Sequence, residues 1–246
     1  METFRTSIDH DIWLAKILER DVFKVKLIED RDGTLNASLG PKDSLESLLA
    51  KKSVFLYSKI SSDQVSRIRY LEKLGFNLAD TTITFEKKRS KRSMHSEGLN
   101  VRMSALKDKE RVMEIAASSF KYSRFHMDNK IPTIKADRIK AEWAGNFFTG
   151  QRGDEMVVAV VNGKVAGFLL LLCSGETIAI DLVAVEKKYL RKGLAMRMIC
   201  FAETALEGFR TIRVGTQAVN IPSMRFYESL GFCVIETGYV FHYHNL

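Results

Sequence analysis

The feature that most constrains this fold is a segment that occurs twice. RYLEKLGFNLADTTITFE runs from Arg69 and RFYESLGFCVIETGYVFH from Arg225, with Arg, Glu, Leu, Gly and Phe at matching places. In both, a helical pattern is stopped by a glycine, Gly75 or Gly231, and followed by β-rich sequence. A shared context of this kind predicts a duplicated module.

Between the copies lies KKRSKRSMHSEG, where Lys87, Lys88, Arg89, Lys91 and Arg92 sit together without an aromatic residue or a helical apolar stripe. It reads as a solvated basic linker. The expected organisation is a truncated first unit over 1–88, a linker over 89–98 and a complete second unit over 99–246. The first copy has Leu71 where the second has Tyr227, and it is expected to be non-catalytic.

In the second unit LNVRMS reads as a strand, and the next segment carries Val112, Ile115, Ala116 and Phe120 at helical spacing. After the loop KYSRFHMDNKIP a second helix is predicted through ADRIKAEWAGNFF. Asn162-Gly163 then joins two β-rich runs as a hairpin, because both residues tolerate positive φ. TIAIDLVAV, TIRVGTQ and a closing pair, CVIETG with YVFHYH, read as strands. The segments LRKGLAMRMICFAETAL and IPSMRFYESL between them read as helices. The predicted class is α/β (α+β), a mixed and mostly antiparallel sheet flanked by helices, preceded by a smaller, incomplete relative of itself.

Composition narrows the function classes. With 246 residues, 46% hydrophobic and 28% charged, the chain can bury one large core or two small ones. No run reaches the roughly 18 apolar residues that span a bilayer, and METFRTSIDHDIW lacks the order of a secretory signal, so a cytoplasmic protein is expected. The net charge of +8 is concentrated in the linker, which argues against nucleic acid as a partner and leaves enough elsewhere to receive a polyanionic small molecule. Cys173, Cys200 and Cys233 lack metal-ligand spacing and read as reduced core residues; no metal is expected.

The chemistry-bearing stretch is IAIDLVAVEKKYLRKGLAMRM, a buried strand leading through a basic glycine turn into a helix. The helix N-terminus offers unpaired amides and the positive end of its dipole, Gly193 and Ala195 keep side chains away, and Arg191 and Lys192 add charge at the rim. Downstream, in NIPSMRFYESLGF, Asn220 can cap a helix, Pro222 suits its first turn, and Ser223 and Tyr227 lie four apart on one face.

Together the two stretches resemble the coenzyme-binding motifs of the GNAT N-acetyltransferase superfamily. Gly193 and Ala195 match the first motif, whose Gln or Arg position holds Leu190 here. Asn220, Ser223, Tyr227, Gly231 and Phe232 match the second. The resemblance covers about 150 residues and implies direct transfer of acetyl from acetyl-CoA to a primary amine. It implies that main-chain groups of Leu182, Val183 and Val185 pair with the pantetheine arm. Amides of Arg191, Lys192, Gly193, Leu194 and Ala195 would hold the pyrophosphate, and an amide near Val183 would polarise the thioester. Tyr227 would act as general acid to the leaving thiolate. The base is unassigned, with Asp181 a candidate that can equally be a structural hydrogen bonder.

A narrower similarity, carried by the duplication, TTITFEK and the loop SRFHMD, is to dTDP-fucosamine acetyltransferases, which act on 4-amino-4,6-dideoxy sugar nucleotides in polysaccharide biosynthesis. It implies that Arg124 pairs with a diphosphate while His126 and Asp128 bond sugar hydroxyls. The bland alternative is a loop that only packs Phe125. An acetyltransferase for another amine or a peptide, a non-enzymatic acetyl-CoA-binding protein, and a homodimer remain open.

Overall fold

The computed structural model describes residues 4–28, 44–90 and 100–246. The first unit runs β1 (Arg5–His10), α1 (Ile12–Leu18), β2 (Asp21–Ile28), α2 (Leu45–Ala50), β3 (Val54–Ser61), α3 (Val65–Lys73) and β4 (Asn77–Lys88). The second runs β5 (Asn100–Met103), α4 (Lys109–Ser119), α5 (Thr133–Gly145), β6 (Glu155–Val161), β7 (Lys164–Ser174), β8 (Thr177–Val185), α6 (Leu194–Ala205), β9 (Thr211–Gln217), α7 (Ile221–Ser229) and β10 (Cys233–Asn245).

All ten strands join one sheet in the order β1-β2-β3-β10-β4-β9-β8-β7-β6-β5. The centre of that order is an exchange. The last strand of the second unit, β10, lies between β3 and β4 of the first, while β4 lies between β10 and β9. The registers obey a pseudo-two-fold relation: Gly238 pairs with Ser61 just as Thr82 pairs with Gln217, and Thr82 and Gly238 face each other. Around that axis β1-β2-β3 mirrors β7-β8-β9, with β2 parallel to β3 and β8 parallel to β9. The duplicated segments thus form α3-β4 and α7-β10. Their capping residues Gln64 and Asn220 share φ −86° and ψ 61°, and Gly75 and Gly231 end the helices at φ 85° and 83°.

Two expectations are corrected. CVIETG and YVFHYH form one long strand rather than a pair, because Gly238 continues the extended run beneath Ile60 and Thr82. A Cβ there would meet the Ile60 carbonyl oxygen at 2.9 Å. The cysteines are not core residues: Cys173 and Cys233 are exposed near strand ends, Cys200 is half-buried, and no disulfide joins them. The basic segment also begins as anchored structure. Lys87 Nζ meets Glu203 Oε2 at 2.9 Å, and Arg89 donates to the carbonyls of Glu203 and Leu206 at the end of α6. Lys91 and Arg92 lie outside the described residues.

The Asn162-Gly163 hairpin forms as predicted, with φ 50° and 74°. One face of the sheet packs on α6 and α7 through Leu194, Met198, Ile178, Ile180 and Tyr227. The other face packs on α4 and α5 through Val112, Ile115, Ala144, Leu170 and Leu182. A further cluster crosses the units, joining Leu14 and Ile17 of α1 and Phe55 of β3 to Phe125 and Ile139. Each such side chain contributes about 1.5–3 kcal/mol by leaving water. No helix among the described residues is long and apolar enough to cross a membrane.

Candidate active site

The site begins where two parallel strands part. β8 and β9 pair only from Thr177↔Thr211 to Ile180↔Val214; beyond that, Gly215–Gln217 pair only with β4. The β8 edge over Asp181–Val185 therefore faces a gap. A bulge opens it: Leu171 pairs with Ile180 and Leu170 with Leu182, leaving Asp181 over. The bulge changes the face on which side chains fall, so Ile178 and Ile180 point to α6 while Leu182 and Ala184 point to α4 and α5. The stretch of β8 that holds Leu182, Val183 and Val185 has no strand partner on this side among the described residues, the requirement for a ligand that adds like a strand.

β8 leads to the glycine turn and the twelve-residue α6. Arg191 and Gly193 take φ 60° and 77°, which turn the chain so that the amides of Leu194 and Ala195 begin the helix unpaired. A Cβ on Gly193 would meet only the tips of Met196 and Arg197, at 3.7 and 4.0 Å. Arg191 and Lys192 are exposed, as is Leu190 at 52%. Beneath the turn, Arg197 Nε is buried without a hydrogen-bond partner among the described residues. A bare backbone cradle with an orphaned guanidinium nitrogen beside it suits a pyrophosphate, so these residues fit acetyl-CoA.

From the other side of the gap, after β9, comes α7. Asn220 Oδ1 accepts from the Ser223 amide at 3.3 Å and sets the helix start. Tyr227 is 4% exposed, with its ring against Phe85, Phe226 and Phe232. Its hydroxyl makes no hydrogen bond among the described residues, and burial alone raises the phenol above its ordinary value. Tyr227 therefore holds its proton more firmly than an exposed phenol does.

On the α4/α5 side of the sheet a cavity of about 470 Å³ opens at the same gap. Its wall includes Asp181, Gly215 and Gln217 from the second unit and Lys59, Asp80 and Thr82 from the first. The cavity straddles the pseudo-two-fold axis. A neighbouring cavity of about 290 Å³, lined by Asp11, Trp13 and Tyr57 among others, shares Arg124, Trp143 and Arg152 with it.

The residues singled out from the sequence fall into two groups. Arg124 lines both cavities, its guanidinium 4.1 Å from the Tyr57 ring and 4.3 Å from that of Phe125. Asp181 also lines the larger cavity, but Arg152 grips its carboxylate at 2.7 and 2.6 Å and Trp143 Nε1 donates to it at 2.7 Å. His126 is held elsewhere, between Ser123 Oγ at 2.6 Å and Asp137 Oδ1 at 3.0 Å. Asp128 Oδ2 accepts from His242 Nδ1 at 2.6 Å and His244 Nε2 at 2.7 Å. The structure thus ties the loop to β10, with Phe55 packed on both imidazoles. Burial disfavours the Asp128 charge, yet the two histidine hydrogen bonds hold it far below the usual carboxylate range. Burial pulls His242 down to about 4. Among the described residues these three could converge on a metal. His242 Nδ1 and His244 Nε2 are both bonded to Asp128 Oδ2, and Arg124 faces the far nitrogen of His242 at 3.3 Å, a poor setting for a cation.

Three cavity residues with displaced ionisation were not singled out from the sequence. Asp80 is 8% exposed and has no ion pair among the described residues; burial pushes its carboxyl up to about 6 despite hydrogen bonds from Gln217 and the Thr81 backbone and the positive charges of Arg124 and Lys59. Lys59 and Lys140 are both pulled down to about 8, first by burial and then by Arg124. Asp80 and Lys59 lie in the unit expected to be non-catalytic, so only the strand exchange reveals them. Lys140 left a signal: it sits between Ala136 and Ala144, four residues from each, on the buried stripe of α5.

Residues 110–232 match the Acetyltransferase (GNAT) family, half of the chain. The chain belongs to this family. It is 31% identical over 137 residues to the spore coat polysaccharide biosynthesis protein SpsD of Bacillus subtilis (strain 168). That match takes in 55% of this chain and 47% of the relative, so the chain spans about half of that protein's length. Among solved structures, a functionally unknown conserved protein from Staphylococcus epidermidis ATCC 12228 superposes with TM-score 0.64 at 15% identity, over 100% of this chain and 93% of the other. A tandem GNAT protein from the clavulanic acid biosynthesis pathway superposes with TM-score 0.61 at 11% identity, over 92% and 75%. These likenesses speak to the fold, including its doubled form. Membership of the GNAT acetyltransferase family implies acetyl-CoA as cosubstrate.

Proposed function

We propose that this acetyltransferase acts on the amine of an amino-deoxy sugar nucleotide of the dTDP-4-amino-4,6-dideoxyhexose type, for surface polysaccharide. The observation that carries the reading is the cavity at the β8–β9 gap, enclosed on several sides and walled by Lys59, Arg124, Lys140 and Arg152. Such a wall suits an acceptor with negative charge, and the adjoining cavity gives an elongated molecule room to extend past Arg124. The polysaccharide role named for the Bacillus subtilis relative agrees with it. A basic peptide is a poor fit to the same wall.

In this reading the free edge of Leu182, Val183 and Val185 orders the pantetheine arm, and the turn from Arg191 to Ala195 holds the pyrophosphate, with Asn220 and Ser223 fixing the start of α7. The Val183 amide donates to the thioester oxygen as it gains charge. The amine approaches from the α4/α5 side, where Asp80 is suited to take its proton: its carboxyl is buried, in no ion pair among the described residues and raised to about 6. Tyr227 gives its phenolic proton to the departing sulfur from the other face. His126 and Asp128 act at a distance by setting the loop that carries Arg124, and Asp181 by holding Arg152. The units 1–88 and 99–246 are then one working site, with the incomplete unit serving as part of the acceptor wall.

A thiol-release assay with acetyl-CoA against amino-sugar nucleotides, polyamines and peptides tests this. Turnover is expected with dTDP-4-amino-4,6-dideoxyhexoses; acetylation of peptides but no amino sugar would overturn the substrate while leaving the family intact.

A further inference from the structure

Lys140 is the least compensated charge in the cavity. It is 8% exposed, on a helix face otherwise built of Ala136, Ile139 and Ala144. Its ammonium lies 4.8 Å from the Phe120 ring and 4.7 Å from that of Trp143, and it has no hydrogen bond or ion pair among the described residues. The aromatic faces return part of the cost of drying such a charge but leave its three donors unused. The other charged groups on the wall are spoken for or repel it. Arg152 is locked to Asp181, Arg124 is stacked between two rings and adds positive charge, and Asp80 is bonded to Gln217. Lys59 reaches the same cavity from β3, and its pseudo-symmetric counterpart is Gly215, which leaves that side of the wall bare. Glu236 stands further out, on the exposed part of β10.

We infer that Lys140, with Lys59 opposing it from the first unit, forms a subsite for an oxyanion group of the acceptor, phosphate or carboxylate. This rests on the reading of the cavity as the acceptor site, and it names which residue selects a charged acceptor over a neutral amine. A buried cation and an exposed one that border the same cavity repel each other until an anion enters, so the subsite is poised for a ligand.

The test is calorimetric titration of the full chain, saturated with coenzyme A, with dTDP in one arm and succinate in the other. One of the two is expected to bind. Its Kd should rise at least about tenfold in Lys140→Met and less in Lys140→Arg, with coenzyme A affinity kept within about twofold as the check on folding. Binding by dTDP points to a phosphate source, and by succinate to a carboxylate. If neither binds, or if Lys140→Met binds as tightly as the parent, the subsite is overturned. An anion that binds as expected while no amine is acetylated sinks the acetyl-transfer reading of the cavity and leaves the subsite standing. Acetylation of an amine by Lys140→Met with unchanged KM does the reverse.

Discussion

In the first copy of the duplicated module the helix residue that faces the core is Leu71, fully buried; in the second it is Tyr227. The two helices share their cap geometry and their glycine stops, so the scaffold is the same in both copies while the proposed proton donor is not. The strands before them diverge in the same sense. β8 leads into a glycine turn and a twelve-residue helix, whereas the helix before β3 is the six-residue α2. The first copy has no described cradle of its own, yet β3 and β4 furnish Lys59, Asp80 and Thr82 to the cavity of the second. Duplication followed by strand exchange leaves one copy free to lose its own chemistry, because its strands are still needed by the other.

The largest effect follows from that dependence. A chain starting at residue 99 lacks β4, so β9 loses a partner and both edges of β10 are bare. Such edges template aggregation. The truncated chain is expected to be insoluble or unfolded, and co-expression with residues 1–98 to recover a soluble pair. A folded, monomeric, coenzyme-binding fragment from the second unit alone would break the comparison.

Next comes the tie between β4 and α6. Glu203 is 1% exposed, its two oxygens engaged by Lys87 Nζ at 2.9 Å and the Ser90 amide at 3.0 Å. Glu203→Ala leaves a buried ammonium and an amide without partners and should cost about 3–5 kcal/mol. Denaturant unfolding reads this directly. A loss under 1 kcal/mol, on the order of a surface pair, would mean that the strand exchange does not rely on this contact.

The pin between the loop and β10 sharpens the comparison through pH. His242 stays neutral in the fold down to about 4, whereas in the unfolded chain it titrates near 6.5. Above pH 6.5 neither state binds the proton and nothing is lost. As pH falls from 6.5 toward 4 the unfolded chain takes up a proton that the folded one refuses, so stability drops, by about 2 kcal/mol between pH 7 and pH 5. Asp128 is displaced downward as well and adds a loss in the same direction, once pH passes below its ordinary carboxylate value. His242→Asn retains a donor toward Asp128 without the ionisation, and should flatten the decline above pH 5 in urea titrations. An equal decline in both proteins would place the titrating group elsewhere.

The sequence was most legible where one local rule decides the outcome. Asn162-Gly163 made its hairpin, TIRVGTQ became β9 from Thr211 to Gln217, and the helical spacing of Val112, Ile115 and Ala116 marked α4. The doubling was legible too, since Gly75 and Gly231 stop equivalent helices. What stayed hidden depends on contacts distant in sequence. No periodicity shows that β10 would leave its own unit, or that Asp80 would end beside Gln217. The bulge at Asp181 also upset simple alternation, which is why that residue's role stayed open. Asp128 and His126 looked like ligand groups because polar residues in a loop carry no mark of the partners that will consume them.

The smallest effect bears on the residue in which the two copies differ most plainly. Tyr227→Phe keeps the ring packed against Phe85 and Phe232 and removes only the hydroxyl, which bonds to nothing among the described residues. Stability should therefore hold or rise slightly, and coenzyme A affinity should be unchanged. Turnover should fall at least about tenfold, roughly 1.4 kcal/mol of barrier, because the thiolate must leave without a proton. Leu71→Tyr in that background puts a phenol at the equivalent place in the first copy, where no cradle for a thioester is described, and should restore nothing. The contrast between kcat and binding is what separates a proton donor from a packing residue. An unchanged kcat in Tyr227→Phe would reduce the difference between the copies to core packing alone, and the leaving sulfur would have to draw its proton from solvent in the gap.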